Sequence, residues 1–273
     1  MDTGQRLRLM LTAAIPFVMA LRKETGGFGA TRRLPATIQD TYHALNILTL
    51  CRQYGIPGPG ASLAFAEDNL HSFLAACRRL LPATGIATSF QLLWSCRTVG
   101  VEFDQGDVEA AVLARIRASE SVEEWYYCAR IESEILGKKP LAGPEGQHLA
   151  RVIARGWRCV DEAWQHMYLA RAGSIPLPVP DQELIAWLQA NQNGDGGFGF
   201  FPGTTSFVEN CHASLRALMF LNTAPLNPEL AADFLAACQT AAGGFSRNSR
   251  AAPFLDTTWH ALAAFSLLGK SPS

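Results

Sequence analysis

The chain has 273 residues, 48% hydrophobic and 17% charged, with a formal net charge of -1. So balanced a charge gives no electrostatic reason to seek nucleic acid, and the apolar content excludes disorder and supplies a core. Seven cysteines, at 51, 77, 96, 128, 159, 211 and 238, form no Cys-x-x-Cys pair and suit buried thiols in a reducing, cytoplasmic setting.

The first element, residues 7–21 behind Arg6, is apolar enough to imitate the hydrophobic region of a signal peptide. It carries Pro16 and runs into Arg22, Lys23 and Glu24 with no small-residue cleavage site. It is also shorter than the about 20 residues needed to span a bilayer, so it is predicted to be a helix of the fold and no transmembrane segment is expected. Gly26-Gly27-Phe28, a polar loop and a second helix with Asp40 and His43 in its opening turns follow. Helical periodicity recurs over 61–80 and 84–99, 106–118 and 121–136, and 146–156 and 157–171. Breaks fall at Gly58-Pro59-Gly60, Pro82, Gly137 to Pro140 and Pro176 to Pro180. Residues 183–215 and 232–262 then repeat the opening pattern, with Gly196-Gly197-Phe198 before His212 and Gly243-Gly244-Phe245 before His260. From Phe to His is 15, 14 and 15 residues in the three copies, a spacing that marks a helical-hairpin repeat.

Three clear copies and three intervening helix pairs make about six hairpins, and the strand pattern is weak throughout. The last two copies lie 47 residues apart, and the 170 residues between the first two Gly-Gly-Phe motifs hold three further repeats of that size. The expected fold is therefore all-α, an (α/α)6 toroid in which the second helix of each pair faces a central cavity. Residues 1–273 are read as one domain of such repeats. An open solenoid needs polar caps, whereas the last helix, 254–268, is strongly apolar. In each copy the paired glycines permit positive φ and close backbone approach at a helix end, and the Phe is placed to plug the layer between hairpins.

The Gly-Gly-Phe motifs that follow Gln192 and Gln239, with the helix starts Thr41-Tyr42-His43-Ala44-Leu45 and Thr258-Trp259-His260-Ala261-Leu262, resemble the prenyltransferase and squalene oxidase repeat. That repeat builds the β subunits of protein prenyltransferases and the domains of squalene-hopene and oxidosqualene cyclases. The resemblance covers about 100 residues clearly and implies a prenyltransferase-like enzyme, with an isoprenoid or prenyl diphosphate in an apolar central cavity. It also implies a helical-repeat α-type subunit as a partner. The transferases' zinc ligands would fall on Glu209, Cys211 and His260, leaving a fourth position on the metal for a thiol acceptor. Glu209 and Cys211 are two residues apart, so both reach one metal only if Glu209 sits before or within the fraying first turn of the helix.

Other readings of the same residues stand beside this one. His43, His212 and His260 share one column, each with an acid three or four residues earlier (Asp40, Glu209, Asp256), which suits a repeated helix start favoured by the dipole. Cys211 equally suits a buried thiol. The loop before Glu209 holds no cation, so the diphosphate candidates are Arg32 and Arg33 in the first loop and Arg247 and Arg250 in the last, residues that equally suit a solvated surface. A class II cyclase would need an Asp-x-Asp-Asp motif, of which only the last Asp survives, at Asp256 or Asp40. Trp259, with His43 and His212, is a substrate-wall candidate, and Cys211, His260 and Asp256 are the catalytic ones. A non-catalytic toroid that binds an isoprenoid or a protein is the third reading.

Overall fold

The computed structural model describes residues 2–57, 68–81, 84–141 and 146–270. Twelve α-helices run through the described residues, in six pairs. They are α1 (Thr3–Met19) with α2 (Ile38–Gln53), α3 (Asp68–Arg78) with α4 (Ile86–Val99), and α5 (Gln105–Ala118) with α6 (Val122–Arg130). The second half adds α7 (Gly146–Ile153) with α8 (Val160–Gly173), α9 (Asp181–Ala190) with α10 (Val208–Phe220), and α11 (Pro228–Ala237) with α12 (Leu255–Leu268). Among the described residues the only extended pairing is a few isolated bridges beside the Gly-Gly-Phe loops. The start of the predicted 61–80 helix and the breaks at 58–60 and Pro82 lie outside the described residues.

The even helices form a closed inner ring: α2 packs on α4, α4 on α6, α6 on α8, α8 on α10, α10 on α12, and α12 back on α2. Each odd helix lies outside its own partner. The all-α toroid expected from the repeats is therefore observed. Two boundaries differ for physical reasons. The predicted 121–136 helix changes to a π-helical turn at Ile131–Ile135, where Leu136 N–H reaches back to the Ile131 carbonyl at 2.9 Å. The predicted 157–171 helix begins only at Val160, because Cys159 is extended and the Val160 N–H bonds the Phe200 carbonyl at 3.0 Å.

The Gly-Gly-Phe motif joins one hairpin to the next. Gly26, Gly196 and Gly243 adopt φ of +89°, +88° and +91°, and a Cβ there would overlap the backbone of the following outer helix, at Asn69, Leu230 and Ala13 respectively. The second glycine of each motif receives an aromatic ring from that same helix: Phe73 at Gly27, Phe234 at Gly197 and Phe17 at Gly244. Phe28, Phe198 and Phe245 are wholly buried behind them. The two glutamines of the signature complete the joint. Gln192 Nε2 bonds the Asn227 carbonyl at 2.8 Å, and Gln239 Nε2 bonds the Met10 carbonyl at 3.1 Å. Because Gly243, Gly244 and Gln239 act on α1, the last repeat docks on the first, and Arg6 pairs with Asp233 across this seam at 2.8 Å. The signal-peptide-like segment is thus an ordinary outer helix, and no helix among the described residues is long and apolar enough to cross a membrane.

Gly243→Ala is expected to destabilise the protein more than Gly55→Ala, as read by chemical denaturation. Gly55 has φ +62° and open space around it, so the alanine costs only the left-handed penalty of about 1–2 kcal/mol. At Gly243 the same penalty is joined by overlap with Ala13, and equal losses at the two sites would contradict the joint.

Candidate functional site

The loops that precede the inner helices deliver their N-termini to one end of the ring, so residues at equal register form layers. The first turns carry Asp40, Glu123, Asp161, Glu209 and Asp256, where the positive ends of the dipoles favour acids. Asp40 accepts from the Thr37 hydroxyl at 2.6 Å, and Glu209 pairs with Arg247 at 3.3 Å, its Oε2 buried without a partner. Burial raises both carboxyls above their ordinary range. Asp161 stands open to solvent at the mouth yet is walled by protein, and desolvation raises it too.

One turn further in are His43, His212 and His260. The Nδ1 atoms of His212 and His260 lie 2.9 Å apart, so one donates and the other accepts, which places the two rings in different tautomers. His43 lies 6.0 Å from His260 between ring centroids, and its buried Nδ1 has no partner. Burial depresses all three, His43 to about 4, His260 to about 3 and His212 well below 6.5, so the cluster is neutral at physiological pH. Aromatic rings surround it: Trp259 meets His212 edge-on at 5.9 Å, Tyr42 meets His43 at 5.2 Å, and Trp94 meets Tyr42 at 5.2 Å.

Tyr126 and Trp164 stand at the register of the imidazoles, and a third layer one turn on holds Tyr168 with Arg130 and Arg216, each arginine lying over an aromatic face. In the sequence these arginines were passed over. The available pointer was a cation inside an otherwise apolar inner-helix pattern, as in His212-Ala-Ser-Leu-Arg216.

The expected zinc ligands do not converge. Cys211 turns back to its own repeat and its Sγ accepts the Phe198 N–H at 3.4 Å. The hydroxyls of Thr41 and Thr258 do the same for Phe28 at 3.0 Å and Phe245 at 2.9 Å. Cys211 thus fills a structural column of the repeat, and burial pushes its thiol far above the ordinary range. Glu209 is held by Arg247, and His260 by His212. Among the described residues no three His, Cys, Asp or Glu side chains are placed to hold a metal ion, so these residues as arranged do not fit zinc.

Of the diphosphate candidates, Arg32, Arg33 and Arg250 are exposed in the loops at the mouth. Lys23 Nζ braces the first of those loops through the Thr31 and Arg32 carbonyls at 2.6 and 2.9 Å. Arg247 instead lies over the Phe207 ring at 4.0 Å while paired with Glu209. A separate cleft of about 700 Å³ opens on the outside of the ring where α3, α4 and α5 meet, lined by Arg78, Leu93, Phe103, Asp107, Val112 and Arg115.

Residues 7–92 and 169–252 match the prenyltransferase alpha-alpha toroid domain, more than half of the chain, and the protein therefore belongs to that family. A search of curated proteins for relatives finds no match.

Cys211→Thr is expected to preserve stability and zinc content, whereas Cys211→Ala leaves the buried Phe198 N–H unpaired and costs about 1–3 kcal/mol. Zinc bound by the wild type and lost in Cys211→Thr would overturn this assignment. A pH effect follows from the imidazoles. Their folded pKa values lie below the ordinary 6.5, so the unfolded chain binds protons first, and stability declines as pH falls from 6.5 through about 4 (His43) to about 3 (His260). Unfolding measured across this window should show a shallower decline in His260→Asn than in the wild type.

Proposed function

We propose that the protein binds a prenyl diphosphate within the inner ring and transfers its isoprenoid to an acceptor, without the zinc trio of its resemblance. The observation that carries this reading is the aromatic and imidazole wall built by the inner helices below a mouth whose loops present Arg32, Arg33 and Arg250. Those exposed cations suit the diphosphate, and the apolar chain would lie against Tyr42, Trp94 and Trp259. Ionisation of the allylic C–O bond sends the electron pair to the diphosphate, and the faces of the aromatic rings stabilise the resulting cation. The acceptor's lone pair then forms the new bond. Its proton passes to a neutral imidazole, for which the unpartnered Nδ1 of His43 is suited.

A cyclase started by protonation fits less well. Asp40 is tied to Thr37 and Glu209, through one oxygen, to Arg247, and the neutral imidazoles one turn on are bases. Tryptophan fluorescence titrated with geranyl, farnesyl and geranylgeranyl diphosphates tests the reading. Saturable quenching is expected, about 10-fold weaker in Trp259→Ala through lost aromatic burial. His43→Asn should bind normally but transfer slowly. Absence of saturable binding for all three ligands would sink the proposal.

A further inference from the structure

Arg130 and Arg216 project from α6 and α10 onto one atom, the Tyr126 hydroxyl oxygen, at 3.4 and 3.5 Å, and the Trp164 indole N–H joins them at 3.1 Å. The two cations are not equivalent. Arg130 is clamped by Glu134 through Nε at 2.6 Å and Nη2 at 3.0 Å, and lies 4.0 Å over the Phe90 ring, so its charge is balanced. Arg216 lies 4.2 Å over the Trp164 ring and has no carboxylate within ion-pair distance among the described residues. Its one hydrogen bond there is the weak contact with Tyr126. Asp161 feels its charge but is engaged by the Gln165 amide at 2.8 Å.

Tyr126 supplies a second, independent observation. It is only 4% exposed, and all three groups on its oxygen are donors, so the hydroxyl hydrogen has no acceptor among the described residues. A guanidinium with unused N–H groups beside a buried hydroxyl with an unused hydrogen forms a pair of donors facing one missing acceptor, and buried polar groups are seldom left so. The charge balance selects the chemistry. Arg130 is cancelled by Glu134 and the imidazoles are neutral, so Arg216 is the cation of this layer with no carboxylate in ion-pair contact among the described residues, Asp161 acting on it only at longer range. One planar cation matches one carboxylate, whose two oxygens can take both the guanidinium fork and the phenol. A diphosphate would bring surplus negative charge into a poorly solvated place.

We propose that Arg216 and the Tyr126 hydroxyl form a carboxylate-binding site inside the ring, one turn below the imidazoles and walled by Trp164. The site is distinct from the mouth arginines and does not depend on the isoprenoid reading, because it concerns the head group whatever the tail. Titrating the full chain with decanoate, 1-decanol and decyl phosphate, followed by tryptophan fluorescence, tests it. Decanoate should bind about 10- to 100-fold more tightly than 1-decanol, the range of a charge-assisted hydrogen bond, and more tightly than decyl phosphate. Arg216→Gln should erase the preference for decanoate over the alcohol, and Arg216→Lys should keep part of it. Equal binding of acid and alcohol by the wild type, tighter binding of the phosphate, or an unchanged preference in Arg216→Gln would each overturn the proposal. The wild-type comparison decides the matter even if a variant fails to fold. Failure of prenyl diphosphates to bind leaves all these outcomes readable.

Discussion

Three of the six junctions in this ring, including the one that closes it, rest on the close approach of a glycine pair to the next outer helix. A side chain at Gly26, Gly196 or Gly243 would hold that helix away, and only glycine adopts the left-handed backbone there without penalty. The approach seals the layer with a buried Phe, whose N–H is taken by Thr41, Cys211 or Thr258 at the head of the inner helix. The same joint therefore sets two things at once: how far one hairpin turns from the next, and at what height each inner helix begins. Repeated across the seam between Gly243 and α1, it closes the ring and brings His43 from the first hairpin beside His260 from the last.

The joint also explains what was readable in the amino-acid order. Gly-Gly-Phe and the constant distance to His are local patterns, and they specified the toroid, the inner role of the second helices and the shared column of His43, His212 and His260, but not that these rings touch. Helix ends set by contacts from elsewhere were not readable: the late start of α8 depends on the Phe200 carbonyl, forty residues away in sequence. Cys211 shows a subtler failure. Aligned with Glu209 and His260 it matches a ligand set, but its column in the repeat is the one held by Thr41 and Thr258, and the repeat decides where its sulfur points. The arginines of the third layer were missed because their meaning lies in what they lack. Arg130 has Glu134 one turn on along its own helix, but that Arg216 has no carboxylate in ion-pair contact among the described residues is a property of the packed ring.

Chemically, the ring orders its polar groups by depth. Acids stand at the mouth, where helix dipoles favour them; neutral imidazoles follow, held so by burial; and cations lying on aromatic faces come last. An inner ring so built sets imidazoles and aromatic faces together below the exposed arginines of the loops. Membership of the prenyltransferase alpha-alpha toroid family is in keeping with the isoprenoid ligand proposed above, whose allylic cation such aromatic faces would stabilise.

The decisive experiment is a crystal structure of the protein grown with farnesyl diphosphate. Density for the chain between Tyr42, Trp94 and Trp259, with its diphosphate toward the loops of Arg32 and Arg250, is the expected result. A ligand seated instead in the outer cleft between α3, α4 and α5, with the inner ring unchanged, would contradict the account.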